Sequence, residues 1–282
     1  MSCKSPIKFV GGKSKLLPEI DKYIPKGVEL IYEPFCGSAA LSFSKDIPFI
    51  ISDMNEELII FYKEVKKDYK AVLNWTRKLS EQHSKEFFLK VRAMDRVEDL
   101  NTLASVSRAA RFLYINYHGF NGLWRVSKKQ GHLNTPFGGE GRKLPADIEQ
   151  SLKLASEHLN KYCIGIYHKE FDDMLVLHEH VDLKEVFTIL DPPYEHNDTG
   201  KAVFQAYTTT QVDTNFRNRL NTLMSKLDNL GTTFLMTNTD CEVVRNTYKD
   251  WYQRVVDVNY VVGAKKEREG CKTEIFTSNI EV

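Results

Sequence analysis

The sequence predicts an α/β fold interrupted by a mainly helical insertion. Three observations predict it. Short β-branched, apolar runs recur near both ends of the chain, helical periodicity is concentrated in the middle, and small residues or prolines follow the runs that read as strands. With 282 residues and 42% hydrophobic content, the chain can bury a full core as one large domain or two modest ones.

In chain order, Gly11-Gly12-Lys13-Ser14-Lys15 opens a helix through Ile20. Leu30-Ile31-Tyr32 reads as a strand, ending at Glu33-Pro34-Phe35-Cys36-Gly37-Ser38-Ala39-Ala40, a turn small enough to bring backbone close to a nucleoside. Phe49 to Ser52 is a second strand, closed by Asp53, an acid well placed for the hydroxyls of a ribose. From Glu56 to about Tyr117 the pattern is helical: Leu58, Ile59, Tyr62 and Val65 share one spacing, and Leu103, Val106, Ala110, Leu113 and Tyr114 another. Gly119 to Gly141, rich in glycine, asparagine and basic residues, reads as an exposed hairpin or loop. Strands resume with Cys163 to Tyr167, Val186 to Leu190, Thr233 to Thr237, Arg254 to Val262 and Thr273 to Thr277. Between them a helix from about Asp213 to Leu230 ends at Gly231, a suitable C-terminal cap.

Composition narrows the class. The first thirty residues are mixed polar and no apolar run approaches membrane length, so the expectation is a cytoplasmic protein without a membrane partner. The five cysteines (Cys3, Cys36, Cys163, Cys241, Cys271) form no CxxC pair, which fits a reducing compartment. The eight histidines, His178 and His180 included, read as surface residues, and no metal is expected. The net charge of +1 is uneven. Arg125, Lys128, Lys129, Arg142 and Lys143 stand against Glu140 alone in one stretch, while nine acids face only Lys184 between Glu170 and Asp198. A local basic segment fits either a polyanion contact on one surface or a solvated loop.

Asp191-Pro192-Pro193-Tyr194 follows the apolar run Val186 to Leu190. Two prolines cannot continue a ladder, so the chain stiffens just past the strand end. A carboxylate, a proline carbonyl and an aromatic ring then stand side by side where open α/β sheets bind ligands. Such a set can accept both hydrogens of an exocyclic amino group and cover a flat base, or it can be a stiffened surface turn. Gly11-Gly12-Lys13-Ser14 resembles a P-loop end, but Ile7 stands where that motif needs glycine, so an NTPase reading fails. Taken alone, Lys13 reads as a surface residue. Only Gly37 stands in the second turn, which excludes a dinucleotide fingerprint. Asn116 to Val126 mixes aromatic, amide and arginine side chains suited to reading base edges, or to folding a hairpin around its own aromatics.

The order of these motifs carries more than any one of them. Lys8-Phe9-Val10-Gly11-Gly12-Lys13 is followed by the Glu33–Ala40 turn, Ser52-Asp53, Phe120-Asn121-Gly122-Leu123-Trp124-Arg125, Asn134-Thr135-Pro136-Phe137-Gly138, Asp191-Pro192-Pro193-Tyr194 and Met236-Thr237-Asn238. That order closely resembles the Dam-type (D12 class, alpha group) DNA adenine-N6 methyltransferases over nearly the whole chain. The resemblance implies a mainly parallel, Rossmann-like S-adenosylmethionine-dependent methyltransferase sheet. Residues 1–55 and 160–282 would form the discontinuous catalytic domain, and 56–159 the inserted target-recognition subdomain. It implies S-adenosyl-L-methionine as cofactor and double-stranded DNA as partner, with no obligate protein partner, in a bacterial or phage-infected cell. Phe9, Lys13, Phe35, Cys36, Gly37, Asp53, Glu170, Phe171 and Asp191 would contact the cofactor. Asp191, Pro192, Pro193 and Tyr194 would hold a flipped adenine. Lys8, Leu123, Arg125 and Pro136 would read GATC, and Phe120 and Asn121 would fill or support the gap left by the flipped base.

The chain departs from the family pattern at four places. Ser38 and Ala39 stand where glycine is common, Lys169-Glu170-Phe171 replaces Gly-Asp-Phe, Val126-Ser127 follows Arg125 where the family has Arg-x-Asn, and the Arg125 to Pro136 interval is one residue longer. Two other readings remain: methylation of an RNA base or a protein amide nitrogen, and a DNA-binding regulator with an inactive cofactor site.

Overall fold

The computed structural model describes residues 3–97, 99–127, 129–173, 182–195, 212–258 and 273–282. Lys128, His178, Glu179, His180, Asp198, Cys271 and the end of the expected strand at Val262 lie outside the described residues. Among those described, the strands are β1 (Leu30–Glu33), β2 (Phe49–Asp53), β3 (Cys163–His168), β4 (Val186–Leu190), β5 (Thr233–Thr239), β6 (Tyr252–Asp257) and β7 (Thr273–Ser278). The helices are α1 (Leu17–Ile20), α2 (Ala40–Ser44), α3 (Glu56–Glu81), α4 (Lys85–Arg92), α5 (Met94–Val97), α6 (Ser105–His118), α7 (Ile148–Tyr162), α8 (Thr214–Asn229) and α9 (Glu242–Thr247). The architecture is mixed α/β with seven strands, as expected.

The chain divides into two compact units. One draws its described residues from Met1–Gly12 and Cys36–Glu170, the other from Lys13–Phe35, Phe171–Gln205 and Thr210–Val282.

The first unit pairs β2 with β3 in parallel and surrounds them with helices. The helical pattern from Glu56 is broken where hydrogen-bonding side chains offer the backbone another partner. Asp68 leaves helical geometry (φ −156°, ψ 84°) and its carboxylate accepts the Ala71 N–H at 3.0 Å, so α3 is two helices joined at a kink. Ser84 caps α4 by accepting the Phe87 N–H at 3.1 Å. Leu58, Phe61, Tyr62 and Val65 of α3 are buried, and Phe61 meets Phe112 of α6 at 5.3 Å between centroids. An ion network joins the same helices: buried Arg108 pairs with exposed Glu56 at 2.7 Å and with buried Glu57 at 2.5 Å.

The second unit orders its strands β1-β4-β5-β7-β6. β1, β4 and β5 run parallel, and β7 is antiparallel to both neighbours. The five central apolar residues of α8 (Phe216, Leu220, Leu223, Met224, Leu227) recur at helical spacing and pack with Leu190, Phe234, Met236 and Ile275. Each is worth roughly 1.5–3 kcal/mol relative to exposure. Asp213 caps the start of α8 by accepting the Phe216 N–H at 2.8 Å. At its end, Gly231 (φ +77°) donates to Asp228 O at 2.8 Å and Thr232 donates to Leu227 O at 3.0 Å, a Schellman cap that only a left-handed residue closes comfortably.

Two expectations are corrected. Lys13 is 6% exposed and not a surface residue, because it finds carboxylate partners inside the second unit. Among the described histidines, His118 and His158 are buried. His158 bonds the Ser42 carbonyl at 2.9 Å, and His118 bonds Ser80 Oγ at 3.0 Å beside His83, whose ring lies 4.1 Å away. Burial, with the neighbouring His83, pushes the His118 pKa down to about 4.

A histidine kept neutral on folding makes the folded state resist protons that the unfolded chain binds. Its contribution is complete above the unfolded value near 6.5 and is lost as pH falls from there through about 4. Urea unfolding at a series of pH values should show stability declining by about 2–3 kcal/mol across that window. His118→Asn should flatten the decline.

Candidate active site

The second unit assembles its polar groups at the carboxyl ends of parallel strands. β4 ends at Leu190, so Asp191 is the first residue past the sheet, beside β5 through the register Leu190↔Met236. Thr237 Oγ1 donates to Asp191 Oδ1 at 2.8 Å, and Lys13 Nζ pairs with the same oxygen at 2.8 Å. Lys13 also lies 4.7 Å from the centroid of the Tyr194 ring. Burial alone would lower the Lys13 pKa, but the charges of Asp191 and Glu274 and the bond to Asp191 outweigh it and hold the ammonium above its ordinary value. The Tyr194 phenol donates to Glu274 Oε2 at 2.6 Å.

Glu195, the next residue after the tetrapeptide, is fastened too. Asn238 accepts the Glu195 N–H at 3.1 Å, Thr239 Oγ1 donates to the Glu195 carbonyl at 2.9 Å, and the Glu195 carboxylate pairs with Arg217 at 2.7 Å. Pro192 is buried. Phe35 and Phe171, both expected at a cofactor, stack on each other at 5.0 Å and 27°, with Phe216 against Phe171 at 5.2 Å. Arg219 covers the Phe171 ring and pairs with Asp172.

The first unit gathers another set of expected residues. Cys36 is buried and its N–H donates to Ser52 O at 2.9 Å, which ties the turn after β1 to the end of β2. Gly37 donates to Asp53 Oδ2 at 3.0 Å, while its carbonyl accepts the Tyr62 hydroxyl at 2.9 Å. Asp53 Oδ1 accepts the Asn55 N–H at 2.9 Å. Burial holds the Asp53 pKa above the usual carboxylate value, opposed by N–H groups of Asn55, Gly37 and Met54 and by His168. Gly37 has φ +45°, and a Cβ there would sit 2.7 Å from the Phe9 ring. Ala39 occupies a left-handed conformation (φ 50°, ψ 40°) where the family commonly has glycine. Glu170 is half-buried.

The expected recognition residues share the first unit. Residues 119–127 and 132–138 form an antiparallel hairpin, with Phe120 N–H to Pro136 O at 2.9 Å, Asn134 N–H to Arg125 O at 2.7 Å and Ser127 N–H to His132 O at 2.8 Å. The Asn116 amide reads the Lys8 backbone in both directions, accepting its N–H at 3.0 Å and donating to its carbonyl at 2.7 Å. Gly122 (φ +69°) leaves no room for a Cβ against Lys8. Phe120 is 49% exposed and Asn121 is left-handed (φ 52°). Leu123 is buried, and the Arg125 guanidinium donates to the Asn134 side chain at 2.6 Å and to its carbonyl at 3.0 Å.

Sequence reasoning gave no site role to Glu274, Asn116, Tyr62 or Asn134. Asn116 and Asn134 carried a signal, by their places in the Asn116–Val126 and Asn134–Gly138 segments. The others act over separations such as 80 residues between Tyr194 and Glu274.

Parallel strands ending in a proline-stiffened acid and aromatic, a glycine turn bonded to an acid at the next strand end, and a basic hairpin are features that suit an α/β methyltransferase acting on DNA. The family model for D12 class N6 adenine-specific DNA methyltransferases matches residues 9–263, and the chain belongs to that family. It is 31% identical over 274 residues to the type II methyltransferase M1.LlaDCHI of Lactococcus lactis subsp. cremoris, across 96% of this chain and 94% of the relative. It is 33% identical over 256 residues to the type II methyltransferase M.MjaIII of Methanocaldococcus jannaschii, across 84% and 85%. With a DNA adenine methylase of Vibrio cholerae it shares 27% over 283 residues, across 97% and 96%.

Gly37 supplies a direct test of the turn. Gly37→Ala combines a left-handed backbone with a clash against Phe9, and should cost roughly 1–3 kcal/mol in urea unfolding. An unchanged midpoint would show that the turn relaxes freely.

Proposed function

We propose that this enzyme transfers a methyl group from S-adenosylmethionine to N6 of a flipped-out adenine in double-stranded DNA, within GATC. The observation that carries this reading is the Asp191 carboxylate, held by Lys13 and Thr237 beside the Tyr194 ring at the end of β4. The N6 atom cannot be reached inside a base stack, so the target base must leave it. Asp191 and the Pro192 carbonyl accept hydrogen bonds from N6 and draw its lone pair out of ring conjugation. Tyr194 covers the base, and the work is positioning and electrostatic stabilisation.

The chemistry of the donors and acceptors fits the cofactor. The missing Cβ of Gly37 lets the Phe9 ring lie directly against the turn, which puts an aromatic face beside its backbone, and Asp53 offers carboxylate oxygens to ribose hydroxyls. Bound there, S-adenosylmethionine supplies a methyl group activated on a sulfonium. Phe9, Lys13, Phe35, Cys36, Gly37, Asp53, Glu170, Phe171 and Asp191 are the residues assigned to holding it. Residues 56–159 are assigned to target recognition, with Lys8, Leu123, Arg125 and Pro136 reading bases and Phe120 and Asn121 serving the gap. Residues 1–55 and 160–282 are assigned to catalysis. The family description and the name of the Vibrio cholerae relative, a DNA adenine methylase, support adenine in DNA as the substrate.

Methyladenine mapping on unmethylated genomic DNA treated with the enzyme and S-adenosylmethionine tests the reading. Methylation confined to GATC is expected; a different adenine site would discard the specificity assignment, and none would discard the substrate. Asp191→Ala should abolish transfer while DNA binding in a gel-shift titration stays largely intact. A second expectation concerns pH. Protonating Asp53 removes a ribose acceptor, and its raised pKa brings this loss in at a higher pH than an ordinary carboxylate would. Calorimetric titration of S-adenosylmethionine should therefore weaken as pH falls from neutral, and Asp53→Asn should bind weakly without that dependence.

A further inference from the structure

Glu274 belongs to no motif, yet it sits at the centre of the second unit's polar cluster. It lies on β7, opposite Thr239 of β5 and Val256 of β6, and is 2% exposed. A carboxylate at that depth must be strongly paired to remain in the core. The Tyr194 phenol bonds it at 2.6 Å, and its charge helps to hold the Lys13 ammonium. Charge-assisted O–H···O⁻ bonds of this length are among the strong ones, and they fix direction as well as distance.

Tyr194 is consequently constrained at three points. Pro192 and Pro193 stiffen the backbone on one side, Glu274 tethers the phenol end, and the Lys13 ammonium lies against the ring, 4.7 Å from its centroid. A phenol swings freely about two side-chain torsions, so without the tether the ring plane would be set by packing alone. With one ring face taken by Lys13, a base stacking on Tyr194 must use the other. We propose that Glu274 is a positioning residue that sets the ring plane of Tyr194, and through it the tilt at which the target adenine rests beside Asp191. This rests on the reading of Tyr194 as the platform for the base.

The test compares Tyr194→Ala, Tyr194→Phe, Glu274→Gln, Glu274→Ala and the double variant Glu274→Ala/Tyr194→Phe. Steady-state transfer of tritiated methyl from S-adenosylmethionine to unmethylated duplex DNA is the assay. Glu274→Ala should lower kcat roughly 10- to 100-fold, with KM for DNA moving less than about threefold. Glu274→Gln keeps an acceptor oxygen for the phenol and should stay within about threefold of wild type. Tyr194→Phe should reproduce most of the Glu274→Ala loss, and adding Glu274→Ala to it should cost little more, because both remove one interaction. A merely structural role would instead give losses that add, or that fall on KM and folding alike.

Should Glu274→Ala fail to unfold cooperatively, Tyr194→Phe and Glu274→Gln decide the matter. Full kcat in Tyr194→Phe, or a Glu274→Gln loss as large as that expected for Glu274→Ala, overturns the positioning role. An impaired Tyr194→Ala beside unimpaired Tyr194→Phe and Glu274→Ala overturns the positioning role alone. Full activity of Tyr194→Ala overturns the platform reading and the positioning role with it.

Discussion

The ion pair between Lys13 and Asp191 is the constraint on which the second unit's site depends. Lys13 is 6% exposed, and an ammonium that deep keeps its charge only if carboxylates surround it. Asp191 supplies the contact at 2.8 Å, and Glu274 contributes from β7. Neither acid could be placed by local sequence alone. The parallel β4–β5 register sets Asp191 against Thr237, and the antiparallel β5–β7 register brings Glu274 to the same end of the sheet. The polar cluster is thus a product of strand pairing. It also raises the cost of disturbing that pairing, since each buried partner would be left with an unsatisfied charge.

The placing of Asp191 suits methyl transfer to an amino nitrogen. Under the proposed reading its carboxylate accepts a hydrogen bond from N6 and so lies against the positive charge that develops there. Thr237 and Lys13 both occupy Asp191 Oδ1. The carboxylate is therefore oriented before any substrate arrives, and little reorganisation has to accompany the reaction. A second cation in place of Thr237 would hold Asp191 equally firmly but cancel the field that makes it useful.

Most strands and the capped α8 were legible because their signals are local. Val186 to Leu190 is apolar and β-branched and is β4 as bounded, while Asp213 and Gly231 bracket α8 with the caps expected of them. The continuous helical pattern after Glu56 hid the kink at Asp68, where a side-chain bond to Ala71 competes with the helix in a way periodicity cannot register. Lys13 read as a surface residue because lysine usually is one, and its partners lie far along the chain. The histidines misled for the same reason: His118 and His158 bond Ser80 and Ser42, which no spacing rule connects to them. Among the expected site residues, those ordered by motif could be named in advance. The groups that hold them, Glu274 and Tyr62 above all, could not, because they arrive by tertiary pairing.

The hairpin of residues 119–138 obeys a different logic from the cluster around Asp191. Its geometry is set by short-range bonds within itself and by the α4–α5 turn, where Arg92 donates to Thr135 O, Asp95 accepts the Leu133 N–H and Arg96 donates to Leu133 O. The backbone is therefore clamped from outside while the Arg125 side chain is engaged from inside, by Asn134. A guanidinium carries five N–H donors, and Asn134 engages only Nε and one hydrogen of Nη2, so the Nη1 and remaining Nη2 hydrogens stay available for the O6 and N7 edge of guanine under the proposed reading. Asn134 then acts as a brace: it fixes the plane of the guanidinium, and a base that offers fewer acceptors in that plane leaves a donor without its partner. Such discrimination is sharpest when the hairpin cannot shift to compensate. The clamp at Leu133 and Thr135 supplies that rigidity, so under the proposed reading the selectivity of Arg125 would depend on α4 and α5 as much as on the hairpin that carries it.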